Sequence, residues 1–257
     1  MPRELFGTDG IRGRAGEAPL DRATVFAVGR ALGELVVRLD PAPEVVIGMD
    51  TRESGPELAK LVAGGLAQAG APARFAGVIP TPGLAWLTHT DHFVAGVMIS
   101  ASHNPYYDNG IKVFAHSGYK LPDEQEEQVE DGIRRLCDGA SEATELGSDP
   151  VLAERYLEHL AACWQGPRRC GLRLVIDCAN GAAGEVAPRL FSRFGVQAEF
   201  LADRPDGRNI NLDCGSTHPE GLQRTVRLLN ADLGIALDGD ADRVVMADGR
   251  GELLDGD

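Results

Sequence analysis

The 257-residue sequence uses little cysteine and contains no long apolar run. Its five cysteines are an odd number, no two of them form a C-x-x-C pair, and a chain of this length does not need disulfide staples. These features argue against a disulfide-rich secreted domain and against a zinc site. No stretch approaches the roughly 20 apolar residues of a membrane span, and the opening MPRELFGTDGIRG lacks the apolar run of a signal peptide. We therefore expect a soluble, cytoplasmic protein that does not bind a membrane.

Basic residues are also few, because 25 lysines and arginines stand against 39 aspartates and glutamates, for a formal net charge of −14. So acidic a chain repels phosphate backbones on average, which argues against nucleic acid as a partner. A small phosphorylated substrate remains compatible, because a basic pocket can lie on an acidic body. Hydrophobic residues make up 43% of the chain, which excludes disorder, and the length corresponds to one or two domains at roughly 150 residues each.

Helical and strand patterns alternate along the first half of the chain. Apolar residues recur at helical spacing over 21–39, with Asp21 as the N-cap, and an apolar strand follows at 45–47. Ser54 and Glu57 have the spacing of a capping box, which predicts a second helix. Two further elements are predicted, a buried strand at 93–99 and a polar, acidic helix with a solvated face at 122–137.

The segment 137–150 is rich in turn-forming residues and poor in core residues, so it is the best candidate for a linker. We therefore predict two domains, 1–150 and 151–257, divided between about Gly139 and Gly166. The pattern then restarts with a helix at 151–164. Further strands are predicted at 172–177, 197–202 and 233–237, further helices at 185–194 and 219–229, and a hairpin over 244–254 around D-G-R-G.

Strands that alternate with helices in both halves predict an α/β fold with largely parallel strand pairing. The two halves have the look of two copies of one α/β unit, but the sequence similarity between them is too weak to show a repeat.

The first candidate for chemistry is the hexapeptide S-A-S-H-N-P at 100–105, directly after the strand predicted at 93–99. Loops at the carboxyl ends of strands are where α/β proteins bind ligands. Pro105 stiffens the loop, and a serine hydroxyl beside the imidazole of His103 can act as a nucleophile or a phosphate acceptor. The hexapeptide on its own also fits a polar turn whose side chains cap local backbone groups.

The second candidate is D-G-D-A-D-R, which follows the strand predicted at 233–237. Its carboxylates, Asp238, Asp240 and Asp242, project to one side of an extended backbone and repel one another unless a cation lies between them. Hard oxygen ligands suit Mg²⁺ or Ca²⁺. A solvated acidic turn is the alternative.

This second run can be compared with two known motifs. An EF-hand loop fails, because its sixth and twelfth positions would be Arg243 and Gly249 instead of glycine and glutamate. A haloacid-dehalogenase motif fits in part, since it requires threonine or valine where Asp242 stands. That interpretation would make Asp238 a nucleophile and Asp240 an acid–base.

Three other motifs are weaker. Lys112 in N-G-I-K could neutralise a phosphate or transfer a proton, although a lone lysine is more often surface charge. Arg12 lies among the three glycines of F-G-T-D-G-I-R-G and could meet an anion, although this run also fits a flexible turn. The run at 180–184 lacks the G-x-G-x-x-G pattern, so close strand–helix packing explains its glycines better than a dinucleotide site does.

Taken together and in this order, the serine run, the aspartate run and F-G-T-D-G-I-R-G resemble the α-D-phosphohexomutases. The resemblance spans the chain from about residue 4 to its end. Within that superfamily the runs at 205–211 and 214–218 are most similar to members that act on glucosamine phosphate. The resemblance implies two consecutive phosphohexomutase-type α/β domains, each a mixed sheet packed between helices, the first with the phosphoserine loop and the second with the metal-binding loop.

By this resemblance, Ser102 carries a phosphoryl group and donates it to a hexosamine 6-phosphate. The bisphosphate intermediate then returns its other phosphoryl group to the serine, which leaves the 1-phosphate. One Mg²⁺ per chain would be held by an oxygen of phosphorylated Ser102 together with Asp238, Asp240 and Asp242.

The same resemblance implies that four basic residues surround the reacting centre: Arg12, His103, Lys112 and Arg243. Lys112 matches the proton-transfer role best, and Ser100 matches a supporting hydroxyl.

Phosphohexomutases have four domains, and a homodimer of the full-length protein is compatible with the resemblance. The G-E-x-S-G-H loop of the third domain and the phosphate-binding loop of the fourth are absent from this sequence, which ends at Asp257. We therefore expect the first two domains only, with slow mutase turnover by this chain alone. Two alternatives stay open, a phosphomannomutase or phosphoglucomutase fragment and a non-catalytic module that binds metal or phosphate.

Overall fold

The computed structural model describes residues 5–137, 141–166 and 171–254 and contains two mixed β-sheets, each with helices on both faces. The first sheet is built from β1 (Ile11–Arg14), β2 (Val45–Met49), β3 (Ala73–Val78), β4 (Ala95–Ile99) and β5 (Asp108–Ala115). Its half of the chain also contains α1 (Arg22–Leu39), α2 (Gly55–Gln68), α3 (Thr81–Thr90) and α4 (Asp123–Leu136). The expected α/β class is confirmed.

The second sheet is built from β6 (Arg173–Asp177), β7 (Gln197–Leu201), β8 (Leu233–Leu237), β9 (Val244–Asp248) and β10 (Leu253–Leu254). The helices of this half are α5 (Pro150–Cys163), α6 (Ala183–Arg193) and α7 (Glu220–Leu229). All eight elements lie where the sequence predicted them, within two residues at each end, and the β9–β10 hairpin turns at the predicted D-G-R-G.

Both sheets share one topology. The strand order is β1-β5-β4-β2-β3 in the first sheet and β10-β9-β8-β6-β7 in the second. In the first sheet β4, β2 and β3 run parallel, whereas β5 pairs antiparallel with β4 and β1 pairs antiparallel with β5. In the second sheet β8, β6 and β7 run parallel, whereas β9 pairs antiparallel with β8 and β10 pairs antiparallel with β9. The expectation of largely parallel pairing is therefore only half right. The internal repeat that the sequence was too divergent to show is visible here, with β4 and β8 at corresponding places.

The first helix forms for the predicted reason. Asp21 caps α1 by accepting hydrogen bonds from the backbone N–H groups of Ala23 and Thr24. Its apolar face packs against α2, α4 and one face of the first sheet, where it buries Val25, Val28, Leu32 and Leu35.

The predicted capping box at the start of α2 is wrong. Ser54 has helical backbone angles and makes no side-chain cap, and its Oγ instead accepts a hydrogen bond from Asn109 Nδ2 at 2.8 Å. Glu57 pairs with Arg22 on α1. Tertiary partners compete successfully for both side chains, so the local motif does not form.

The acidic helix α4 is less solvated than its composition suggested. Val129 and Ile133 are buried in the core, and Glu126 and Glu130 are buried with them. Glu130 accepts hydrogen bonds from the backbone N–H groups of Leu5 and Phe6, which explains how a carboxylate can be buried there.

The predicted linker is only partly linker-like. Residues 138–140, including Gly139, lie outside the described residues. From 141 to 149 the chain follows the first sheet, with Thr144 N bonded to Lys60 O and Asp149 N to Phe75 O. Helix α5 then packs against α3 and β3 on one side and α6 on the other, so it bridges the two halves. Among the helices within the described ranges, none has both the length and the apolar character needed to cross a membrane.

Candidate functional site

The serine loop (100–108) and the aspartate loop (238–243) begin at the carboxyl ends of the corresponding strands β4 and β8, and they meet. Ser102 Oγ donates a hydrogen bond to Asp238 Oδ2 at 2.6 Å, and both residues are buried. Ser102 has a left-handed φ of 54°. A non-glycine residue in this region is strained and needs its surroundings to hold it there.

The three aspartates converge, but the predicted extended backbone is wrong: the loop is a turn, with Ala241 N bonded to Asp238 O and Ala241 at a left-handed φ of 56°. One carboxylate oxygen from each of Asp238, Asp240 and Asp242 lies within 4.8 Å of the others. Among the described residues, nothing hydrogen-bonds to Asp240 Oδ1, although this atom is buried. A buried anionic oxygen without a donor is unfavourable, and an oxygen-coordinated divalent cation would satisfy it. The donor set therefore fits a magnesium ion.

The other oxygen of Asp240 is held by residues of the first half. Lys112 Nζ on β5 lies 2.6 Å from Asp240 Oδ2 and 3.6 Å from Asp242 Oδ2. Thr81, the first residue of α3, donates its hydroxyl to the same Oδ2 at 2.5 Å and its backbone N–H to Asp240 O at 2.9 Å. These contacts tie the aspartate loop to the first half of the chain.

Burial and neighbouring charge give the aspartates different acidities. Burial, together with the charges of Asp240 and Asp242, raises the pKa of Asp238 to about 6. Burial acts in the same direction on Asp240, but the Lys112 ammonium and the hydrogen bonds to Lys112 and Thr81 outweigh it and lower the pKa of Asp240. Asp240 is therefore ionised, and a cation at the site would stabilise ionised Asp238 beside it.

His103 lies between the serine and an arginine of the aspartate loop. Its Nδ1 is 3.1 Å from Arg243 Nη1 and 3.4 Å from Ser102 Oγ. Partial burial and the charges of Arg243 and Arg12 lower the pKa of His103. Because a guanidinium can only donate, Nδ1 acts as the acceptor and the ring is neutral.

Arg12 lies on β1, where it pairs in register with Gly110 of β5. It forms an ion pair with Asp9 at 3.5 Å, and its charge reaches His103. Within the part of the chain that the structure describes, its buried Nε has no hydrogen-bond partner. That leaves one donor free for an anion. Lys112 and Asp242 line an adjacent open cleft of about 200 Å³, together with Thr8, Gly10, Thr81 and Lys120.

The glycines at 181 and 239 allow the loops to come this close. A Cβ on Gly181 would lie 2.2 Å from Gly239 O, and a Cβ on Gly239 would lie 2.7 Å from Ser102 O. The run at 180–184 therefore packs against the aspartate loop, with Ala182 N bonded to Gly239 O at 2.9 Å. Close packing was the expected reason for these glycines, although the neighbour is a loop and not a strand or helix.

Four residues that sequence reasoning missed also shape the site. Thr81 orients Asp240, as described above. Asp50 and Arg52 follow β2 and hold the serine loop from the core of the first half. Asn211 Nδ2 donates to Ser102 O at 2.9 Å from the second half. The polar run D-T-R-E-S after an apolar strand was a weak signal for Asp50 and Arg52, whereas nothing local in the sequence indicates Thr81.

Family models match both halves of the chain. The family model for "Phosphoglucomutase/phosphomannomutase, alpha/beta/alpha domain I" matches residues 3–137, and that for domain II matches residues 154–251. The chain belongs to the phosphoglucomutase/phosphomannomutase family. This assignment confirms the resemblance seen in the sequence and decides against the haloacid-dehalogenase interpretation of the aspartate run.

Curated relatives called phosphoglucosamine mutase are similar along the whole chain. The relative from Solibacter usitatus (strain Ellin6076) is 51% identical over 259 residues, and that from Symbiobacterium thermophilum is 49% identical over 263 residues. Each match covers 100% of this chain and 58% of the relative, so the chain spans little more than half of their length.

Solved structures of the family have the same fold. A phosphoglucomutase/phosphomannomutase family protein from Burkholderia thailandensis matches with a TM-score of 0.81 at 29% identity, over 97% of this chain and 56% of that one. A putative phosphomannomutase from Thermus thermophilus matches with a TM-score of 0.82 at 25% identity, over 98% and 58%.

Proposed function

We propose that this chain supplies the phosphoserine and metal sites of a phosphoglucosamine mutase, which interconverts glucosamine 6-phosphate and glucosamine 1-phosphate. The observation that carries the proposal is the direct contact of Ser102 Oγ with Asp238 inside a cluster of three carboxylates. A phosphorylated serine brings a charge of roughly −1.5 to −2 to this place. Such a group is tolerable beside the carboxylates only with a divalent cation, so the two loops make chemical sense as one centre.

In the first half-reaction the Oγ–P bond of phosphorylated Ser102 breaks. The phosphoryl group passes to the C1 hydroxyl oxygen of glucosamine 6-phosphate, and the proton of that hydroxyl ends on Ser102 Oγ. The product is glucosamine 1,6-bisphosphate with a free serine. After the bisphosphate reorients, its 6-phosphoryl group passes to Ser102 by the reverse step, which leaves glucosamine 1-phosphate.

The basic residues fit supporting roles in both half-reactions. Lys112 is the proposed proton relay, since its Nζ lies at the edge of the aspartate cluster and faces the open cleft. Arg12 has a buried Nε donor that no described residue accepts, and it can bind a phosphoryl oxygen. Arg243 Nη1 donates to Nδ1 of neutral His103 beside Ser102 Oγ, and the remaining N–H groups of Arg243 can donate to the transferring group.

Asp238, Asp240 and Asp242 would hold Mg²⁺, with an oxygen of phosphorylated Ser102 as a further ligand. When bound, Mg²⁺ offsets the negative charge of the transferring phosphoryl group.

The sugar is proposed from the relatives, since those at about half identity are called phosphoglucosamine mutase, whereas the putative phosphomannomutase from Thermus thermophilus is 25% identical. We also propose that the domain boundary lies near residue 150, with the serine loop in 1–150 and the metal loop in 151–257. A reducing, cytoplasmic location is consistent with the four described cysteines, all of which are free thiols.

The test is transfer of a phosphoryl group to the chain. The chain is incubated with Mg²⁺ and glucosamine 1,6-bisphosphate, and its intact mass and peptide map are measured. The expected result is one phosphoryl group on Ser102, none on Ser102→Ala, and an unchanged result for the exposed Ser117→Ala. Glucose and mannose 1,6-bisphosphates, compared at equal concentration, test the sugar. Absence of labelling with all three sugars would favour the non-catalytic module.

A further inference from the structure

Arg52 has a fully buried guanidinium whose five N–H groups can all be assigned to an acceptor. Its Nε donates to Asp50 Oδ2 at 2.9 Å. The other four bonds go to backbone carbonyls of the serine loop, from Nη1 to Pro105 O and Asp108 O and from Nη2 to Ser102 O and Asn104 O. One side chain therefore fixes the main chain of the loop at four points over seven residues.

The carboxylate of Asp50 connects this clamp to the end of β4. Its Oδ2 also accepts the hydroxyl of Ser100 at 2.6 Å, and Ser100 Oγ in turn accepts the backbone N–H of Ser102 at 2.9 Å. Ser102 is thus held at its N–H through Ser100 and at its carbonyl by Arg52, on both sides of a left-handed residue. These contacts stabilise the strained backbone that aims Oγ at Asp238.

The second half of the chain provides an internal comparison. Asp177 at the end of β6 corresponds to Asp50, and each accepts a hydrogen bond from the backbone N–H two residues later. Ala179 stands where Arg52 stands, and Asp177 binds Gly215 N with its other oxygen. In the second half, the aspartate at the end of the strand therefore finds its hydrogen-bond donors without an arginine. The arginine occurs in the half that contains Ser102.

We propose that Arg52 is a positioning residue for phosphoryl transfer at Ser102 and acts through the main chain of residues 102–108. This inference rests on the proposed function. Its physical basis is that transfer rates depend steeply on the placement of the attacking and leaving oxygens, so a shift of the loop by about 1 Å can slow the reaction on the order of 10²-fold.

Arg52→Lys is the first variant, because it keeps the positive charge beside Asp50. Lysine has three donors and no planar fork, so at least two of the five acceptors lose their hydrogen bond to residue 52. The double variant Asp50→Asn/Arg52→Gln is the second, because it removes both buried charges and leaves neither unpaired. Arg74→Lys is the matched control, since Arg74 forms an ion pair with Asp149 away from the serine loop.

Two measurements are made on each folded variant. The first is the rate of phosphoryl transfer from glucosamine 1,6-bisphosphate to Ser102 as a function of bisphosphate concentration. We expect the maximal rate of both Arg52 variants to fall on the order of 10²-fold, while the half-saturating concentration stays within about twofold. The second is amide hydrogen exchange, which we expect to rise over 102–108 and to stay unchanged in the second half of the chain.

Arg74→Lys should leave both measurements unchanged. A maximal rate within about twofold of the unmodified chain in both Arg52 variants would overturn the proposal. So would a loss of protection spread over the whole first sheet, because that pattern identifies a general structural role. If the unmodified chain takes up no phosphoryl group while exchange in the variants rises only over 102–108, the proposed function fails and Arg52 is a loop support without a role in transfer.

Discussion

Replacing Thr81 by valine removes one hydrogen bond from Asp240 and leaves the size and branching of the side chain nearly unchanged. Thr81 is 7% exposed and Asp240 is fully buried, so water cannot replace the lost donor. The backbone bond from Thr81 N to Asp240 O remains, and so does the Lys112 ion pair. The substitution therefore isolates the contribution of one hydroxyl to the orientation of the middle aspartate.

The expected loss of stability follows from the charge of the acceptor, the Asp240 carboxylate. A hydrogen bond to a charged group contributes about 1.5–3 kcal/mol, and for a chain of this size that loss corresponds to a fall in Tm of roughly 3–12 °C. Partners that orient a metal ligand typically change metal affinity by about 10–100-fold when they are removed. We expect Thr81→Val to weaken Mg²⁺ binding by that factor.

The control is Thr88→Val on the same helix. Thr88 is also buried, but its hydroxyl donates to Leu84 O within α3 at 2.8 Å and lies away from the aspartates. Its loss should cost about 0.5–1.5 kcal/mol and leave Mg²⁺ affinity unchanged. Calorimetric Mg²⁺ titration and thermal unfolding in a chelator measure the two quantities separately. Equal Mg²⁺ affinities for the Thr81→Val and Thr88→Val proteins would refute the role given to Thr81.

The acid dependence of Thr81→Val adds a further check. The Thr81 hydrogen bond helps to keep the pKa of Asp240 below its ordinary value, so its stabilisation is complete above an unfolded pKa of about 3.9. As pH falls through the lower folded pKa, Asp240 is protonated and that stabilisation is lost. The difference in the free energy of unfolding between the variant and the unmodified chain should therefore become smaller in acid.

Three other predictions concern the fold and the contact between the loops. Asp21→Ala should cost about 1 kcal/mol in chemical denaturation near neutral pH. Partial burial acts to raise the pKa of Asp21, but the hydrogen bonds from Thr24 and the backbone outweigh it and lower that pKa. The loss of stability caused by Asp21→Ala should therefore shrink as pH falls below about 4. Limited proteolysis should cut first within residues 142–147, most of which are exposed, and early cleavage inside α5 would contradict the proposed boundary near residue 150. Gly239→Ala should separate the loops, because its Cβ would lie 2.7 Å from Ser102 O, and should slow phosphoryl transfer to Ser102; an unchanged rate would show that the loops can shift freely.

Most of the second half of the fold could be predicted from the sequence, because its strands and helices have clear periodicity. The first half was harder. The strand β1 contains a glycine between two arginines, β5 mixes polar and apolar residues, and α3 begins T-P-G, so none of them has a clean pattern. The capping box at Ser54 failed because Asn109 and Arg22, distant in sequence, bind its two side chains.

The candidate site also contains residues that could be predicted from the sequence and residues that could not. The residues in the two compact loops could be named from local strings, and the structure places Ser102, His103, the three aspartates and Arg243 together. Thr81 and Asn211 could not be named, since their partners are more than 100 residues away. Their relevance depends on how two copies of one α/β unit face each other, and no local pattern encodes that arrangement.

The most direct test of the central claim, that Ser102 and the aspartate loop form one phosphoryl-transfer centre, is Mg²⁺ titration of the phosphorylated and unphosphorylated chain by calorimetry. Ser102 Oγ lies 2.6 Å from Asp238, so a phosphoryl group on it would place anionic oxygens at the metal position. A charge pair about 4 Å apart near a protein surface is worth up to about 4 kcal/mol, so we expect phosphorylation to tighten Mg²⁺ binding by roughly tenfold or more, and Asp240→Asn to abolish the gain. Equal affinity of the two forms would contradict the account, because the serine would then lie outside the coordination sphere of the metal.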